Sequence, residues 1–239
     1  MIRMLAAAFV VVTGLAAGAA YGSEAAIRQA FQAKFSNASV ESVTRTPFAG
    51  IYEVVFDGQI AYTDEKLNFV FFGNLVDVRG GAERNLTRER SAQLNAATLS
   101  KAAGDQAFKR VRGNGKRMLY TFEDPNCAWC KKLHGELNSM TNLTVYTFLI
   151  PILGPDSVEK SKAVWCAKDR AKAWDEAMQG IIPSGRRDCA APIEKNLELS
   201  QRFGIRGTPA IYLGDGRQVA AGFVPASELD QALNSVASK

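Results

Sequence analysis

A cysteine pair at the seam between a strand and a helix constrains this chain more than any other feature. Met118 to Phe122 is an apolar run of strand length, Asp124-Pro125 breaks it, and Cys127-Ala128-Trp129-Cys130 opens a helical pattern that runs to Met140. Asn126 stands where it can cap that helix. A sulfur in the first helical turn meets backbone N–H groups without partners and the positive end of the helix dipole. Both favour the thiolate of Cys127 over its thiol. Lys131 and Lys132 add positive charge one turn on, and Cys130 lies on the same side of the helix. The pattern implies exchange chemistry: the Cys127 thiolate attacks a disulfide, and a second thiol or Cys130 resolves the mixed disulfide. The Ala128-Trp129 dipeptide between them tunes the pair.

Two other readings of the cysteines stand beside this one. Four cysteines, Cys127, Cys130, Cys166 and Cys189, are enough for a zinc site, but no second Cys-x-x-Cys exists, so exchange is preferred to metal and no cofactor is expected. A static Cys127–Cys130 bridge would be a tight ring at a helix start, better suited to exchange than to stapling.

The N-terminus bears on the redox setting. Arg3, the apolar run Met4 to Val12 and the small residues up to Gly22 have the layout of a secretory leader over 1–22, cut before Ser23 or after Ala20. The run is short for the alternative, a membrane anchor. Export to the periplasm would place the cysteines where disulfides persist. A net charge of +5 with scattered Lys and Arg describes a mildly basic surface, and no nucleic-acid partner is expected.

Beyond the leader the 239-residue chain reads as two parts. Glu24 to Phe35 is amphipathic, with Ile27, Ala30, Phe31 and Phe35 on one face. Ile51–Phe56 and Gln59–Thr63 flank the hairpin signal Asp57-Gly58. Leu67–Phe72 and Leu75–Val78 continue as strands, with Tyr52, Phe56, Phe69 and Phe71 packing on a sheet face. This α+β unit over 23–86 is small for an independent core, and an exposed edge would favour pairing with a second copy. Residues 87–104 read as an Ala-rich helix from Thr87 to a stop at Gly104, polar enough for a spacer. From 105 to 239 strands and helices alternate, describing an α/β sandwich with a mixed sheet and a helical insertion over Val158–Met178 that holds Trp165 and Trp174 in a core. His134, the single histidine, is read as a solvated or capped surface residue. Thr208-Pro209 precedes a strand; with the cysteine motif it points to a cis-proline loop that offers backbone to an extended substrate.

Taken together, Phe122-x-Asp124-x-x-Cys127-x-x-Cys130-x-x-Leu133-His134, Gly207-Thr208-Pro209-Ala210, the segment Gly222 to Pro225, the run Gly73 to Val78 and the pair Cys166/Cys189 resemble the DsbC-type periplasmic disulfide isomerases. The resemblance spans nearly the whole mature chain. It implies a thioredoxin-like catalytic domain joined by the linker helix to a cystatin-like dimerisation domain, and a V-shaped homodimer. Its substrates would be misfolded exported proteins, and a membrane thiol reductant of the DsbD type would keep it reduced. It implies Cys127 as nucleophile, Cys130 as resolving partner, Thr208 and Pro209 as the substrate-docking pair, and Cys166–Cys189 as a structural disulfide. Other outcomes on the same fold are a thiol oxidase, a dedicated reductase or a dimeric holdase chaperone. Ala128-Trp129 departs from the Gly-Tyr of well-known members. Thr121 stands six positions before Cys127, where many thioredoxin-like proteins bury a carboxylate.

Overall fold

The structure, a computed structural model, describes residues 18–181 and 186–237. The leader read over 1–22 lies outside the described residues up to 17. No helix among the described residues is long and apolar enough to cross a membrane. The chain divides into two compact units, which meet in sequence at Gly73/Asn74.

The first unit is α1 (Gly18–Lys34) over an antiparallel sheet, β1 (Val40–Arg45), β2 (Tyr52–Phe56), β3 (Gln59–Thr63) and β4 (Val70–Phe71), in that spatial order. Asp57 and Gly58 both have positive φ, the backbone that closes a two-residue hairpin, and Phe56 pairs with Gln59 across it. Ile27 and Phe31 are fully buried from α1 and pack with Val40, Val43, Tyr52 and Val54. The strand expected over Leu67–Phe72 shrinks to two residues. Asp64 accepts both the backbone and side-chain N–H of Asn68, and Leu67 turns back with φ +55 to bury itself. Phe69, expected to pack on the sheet, is instead 42% exposed, and Phe72 is 60% exposed.

The second unit opens with a short ribbon, β5 (Val76–Asp77) and β6 (Arg84–Asn85), then α2 (Leu86–Gln106), β7 (Ala107–Arg112), β8 (Arg117–Glu123), α3 (Ala128–Ser139) and β9 (Leu143–Leu149). The helical insertion, α4 (Pro155–Cys166) and α5 (Arg170–Met178), precedes α6 (Ile193–Arg202), β10 (Ala210–Leu213), β11 (Gln218–Ala220) and α7 (Ala226–Ala237). The sheet order is β11-β10-β8-β9-β7, with β8 and β9 parallel and the other pairs antiparallel. That is the mixed thioredoxin-like sheet. Its central strand β8 is apolar and buried because helices cover both faces.

The helix read as a polar spacer differs most from expectation. Its cap is Asn85, whose side chain accepts the Arg88 N–H; Thr87, the expected cap, accepts from the Leu75 N–H instead. The helix passes through Gly104 and runs directly into β7. Leu99, Ala102 and Ala103 are buried in one cluster with Tyr120, Phe122, Phe148 and Tyr212. Few, small apolar residues suggested a solvated rod, but small side chains also permit close approach. At Gly216, in the turn between β10 and β11, an added Cβ would lie 2.0 Å from the Ala92 carbonyl oxygen, and the Gly216 carbonyl accepts from Asn95. The helix belongs to the catalytic core.

Candidate active site: the Cys127–Cys130 pair

Asp124 shapes the turn between β8 and α3. It is fully buried; Oδ1 accepts the Asn126 N–H (2.7 Å) and the Ser157 hydroxyl (2.8 Å), and Oδ2 accepts the Leu153 N–H (3.0 Å). Asn126 does not cap α3, contrary to expectation. Its side chain is engaged by Asp156, Ser157 and Lys160 of the insertion. The cap position falls on Cys127 itself, in extended backbone and with no side-chain cap bond. The first-turn N–H groups are therefore left for the sulfur.

The two cysteines are free thiols and differ sharply. The Cys127 thiol is drawn down to about 5, first by a hydrogen bond from the Cys130 thiol, then by the Thr208 side chain and by the Cys130 and Trp129 N–H groups, against the opposing effect of burial. As a thiol, Cys127 donates to the Thr208 carbonyl at 3.2 Å. The Thr208–Pro209 peptide is cis, and Thr208 meets the sulfur from 81 positions away in sequence. Cys130 is fully buried, and its thiol is pushed far up by that burial, by its bond to Cys127 and by the charge of Glu123. One sulfur is a thiolate at neutral pH; the other is held as a proton donor beside it.

Ala128 begins α3 and Trp129 is 55% exposed beside the pair. The Trp129 ring lies 5.7 Å from that of Phe223, and Lys132 sets its ammonium over both, at 5.3 and 4.5 Å. The lysine charge expected to act at the sulfur is thus placed on aromatic faces.

Cys166 and Cys189 form a disulfide that ties the end of α4 to the segment before α6. The four cysteines therefore do not form a single ligand set. Trp165 and Trp174 are buried in the cluster that also holds Cys127 and Cys130.

Four titratable residues near the pair escaped the sequence reading or were misplaced by it. His134, read as a solvated or capped surface residue, is buried, receives a hydrogen bond from Arg110 at Nδ1 (3.1 Å) and contacts Asn138 at Nε2 (2.9 Å). Burial first, then Arg110 and Arg112, draw it down to about 4, so it is neutral at pH 7. Glu123 is fully buried and held above the usual carboxylate range by that burial, against Arg110 and the Thr121 hydroxyl. Arg110 on β7 and Asp175 on α5 had no sequence signal.

A mixed five-stranded sheet with a cysteine pair at a helix start and a cis-proline peptide beside it defines a thioredoxin-like thiol–disulfide oxidoreductase. Residues 104–237 match the model of the thioredoxin-like domain, and residues 18–88 match that of the disulfide bond isomerase protein N-terminal domain. The "Probable thiol:disulfide interchange protein DsbC" of Bordetella parapertussis is 41% identical, over 87% of this chain and 73% of that one. The thiol:disulfide interchange protein DsbC of Escherichia coli K12 is 33% identical over 95% of this chain and 94% of its own length. Among solved structures, a disulfide interchange protein from Neisseria gonorrhoeae is 40% identical with a TM-score of 0.52, covering 54% of this chain and 94% of that one. The chain belongs to the DsbC family of thiol:disulfide interchange proteins.

Proposed function

We propose that this protein is a homodimeric periplasmic disulfide isomerase and reductase of exported proteins, with Cys127 as nucleophile and Cys130 as resolving thiol. The observation that carries the reading is the asymmetry of the pair beside Thr208. A thiolate near pH 5 is ready to attack, while its partner stays protonated until it is called upon. Cys127 attacks one sulfur of a wrong disulfide, that S–S bond breaks, and the other sulfur leaves as a thiolate that takes a proton from solvent. A substrate thiol then displaces Cys127, which is isomerisation with no net redox change. Alternatively Cys130 displaces the substrate, which leaves reduced, and the resulting Cys127–Cys130 disulfide must be reduced again by a membrane thiol reductant of the DsbD type. The Thr208–Pro209 edge gives an extended substrate segment backbone partners next to the sulfur.

Residues 1–22 are assigned as a cleaved leader, 23–86 as the dimerising region and 105–239, together with α2 packed into the same core, as the catalytic domain, with Cys166–Cys189 as its staple. The match of 18–88 to the isomerase N-terminal domain supports the second assignment, as do the exposed Phe69, Phe71 and Phe72 around the outermost strand β4. The test is recovery of scrambled, fully oxidised ribonuclease. Wild type should restore activity and Cys127→Ala should not; no recovery by wild type rejects the isomerase reading. Light scattering on the same sample should give twice the monomer mass.

A further inference from the structure

The exposed face next to Cys127 carries an aromatic pair with a cation set over it. Trp129, two residues on from the nucleophile, leaves 55% of its surface in water, and its ring lies 5.7 Å from that of Phe223, in the loop before α7. Lys132, further along α3, reaches over both rings, its ammonium 5.3 Å from the Trp129 centroid and 4.5 Å from the Phe223 centroid. Attraction to two ring faces holds the ammonium where an unrestrained lysine would sweep through solvent. Its four-carbon stem has therefore lost part of its freedom before any partner arrives, and ordering it adds less to the cost of binding.

Lys132 is positioned in this way without an anion: among the described residues it forms no ion pair. Glu136, the one carboxylate of α3, accepts the Ala226 N–H at 2.8 Å instead. Glu123 and Asp124, which precede the cysteine motif, are fully buried, and Asp156, beside Asn126, is paired with Lys160. Lys131 and Arg206, the latter two residues ahead of Thr208, are exposed and form no ion pair among the described residues either. The exposed charge at the start of α3 and ahead of the cis-proline is thus positive, and it is unbalanced.

We propose that Trp129, Phe223 and Lys132 form a substrate-selecting shelf, which takes the side chain of an Asp or Glu two or three residues from the disulfide under attack. This deepens the reading of Cys127 as the nucleophile and rests on it. The carboxylate meets the Lys132 ammonium, and its methylenes lie on the open part of the Trp129 ring. Cys127 and Lys132 are five positions apart, about 7.5 Å along the axis of α3. An extended substrate segment beside Thr208 covers that span in two to three residues, at about 3.3 Å each. A lysine or arginine at the same place in the substrate meets a like charge, so the shelf rejects basic segments as well as favouring acidic ones.

The experiment uses the reduced full-length protein and synthetic peptides whose one cysteine is disulfide-bonded to a coloured aromatic thiol. Cys127 bonds to the peptide sulfur, the peptide–aryl S–S bond breaks, and the aryl thiolate, the better leaving group, departs with its colour. The peptides carry Glu, Gln, Lys or Phe within three residues of the cysteine, or Glu about eight residues away. Each rate is divided by that with mercaptoethanol, an uncharged thiol, which removes the peptide's own reactivity. Wild type should favour the near Glu over Gln by about threefold to fivefold, the scale of an exposed but ordered charge contact. It should disfavour Lys by a similar factor and lose both preferences at about 1 M salt. Lys132→Met should bring the Glu-to-Gln ratio to about one, Trp129→Ala should roughly halve it, and Trp129→Phe should keep it. Lys116→Met removes the same charge at the opposite end of β8 and should leave the ratio unaltered. The ratio compares substrates on one sample of enzyme, so an altered Cys127 sulfur or a partly folded variant does not move it. A wild-type ratio of one, a near Phe preferred to a near Glu, a far Glu as good as a near one, or an undiminished ratio in Lys132→Met overturns the proposal. No colour from any peptide with wild type refutes the assignment of Cys127, and the proposal with it.

Discussion

Leu99→Ala distinguishes a spacer helix from a core helix. On a solvated rod, replacing leucine by alanine costs under about 0.5 kcal/mol and slightly improves helix propensity. In this structure Leu99 is fully buried against a cluster of Tyr120, Phe122, Phe148 and Tyr212, aromatic side chains fixed by the sheet. Those rings stack on one another, with Phe122 and Phe148 4.8 Å apart, so they cannot collapse into the space a leucine vacates. The expected loss is about 3 kcal/mol, combining the transfer of the missing methylenes with the cavity left behind. All three tryptophans, Trp129, Trp165 and Trp174, lie in the second unit, so fluorescence during urea unfolding reports on that unit alone. The midpoint should fall with little change in slope, and the thermal midpoint should drop by roughly 6–12 °C. A loss below about 0.5 kcal/mol would refute the placement of the helix in the catalytic core.

Two further outcomes follow from the site. Alkylation of Cys127 should proceed at a constant thiolate-limited rate from neutral pH downward and fall with a midpoint near pH 5, where an ordinary thiol of 9.0 would already be inert. Because the folded value is depressed, its contribution to the stability of the reduced protein is present above pH 9 and is lost progressively as pH falls through about 5. Thr208→Val should move that alkylation midpoint upward; an unmoved midpoint would show that the Thr208 hydroxyl does not support the thiolate. Replacing Cys166 and Cys189 together by alanine should cost roughly 3 kcal/mol of the same fluorescence-detected stability, from the loop they close at a separation of 23 residues. Unchanged stability would show that α4 and the segment before α6 are held by packing alone.

Local signals decided a good deal by themselves. Apolar runs bounded by Asp-Pro and Asp-Gly marked β2, β3 and β8 to within a residue or two, because turn chemistry at those boundaries is a property of the residues concerned. The Cys-x-x-Cys position at a helix start carried the thiolate prediction on the same ground, since unpaired N–H groups at a helix start do not depend on the rest of the fold. What failed was each case in which a side chain had two partners to choose from. Asn126 could cap α3 locally but found three groups on α4. Thr87 could cap α2 but closed onto Leu75. His134 could face solvent but met an arginine from β7. Composition misled for α2 because small residues are equally suited to water and to close packing, and only the cluster of aromatic residues from β8, β9 and β10 decides between them.

The cysteine motif and the leader pattern thus announced a redox pair from the chain alone. The sequence could not supply the inequality of the two sulfurs. That comes from Thr208 arriving from 81 residues away and from the burial of Cys130. The charge of Glu123, at the end of β8, adds to the upward push on Cys130. Charge strength depends on exclusion from water, and exclusion from water is a property of the packed fold.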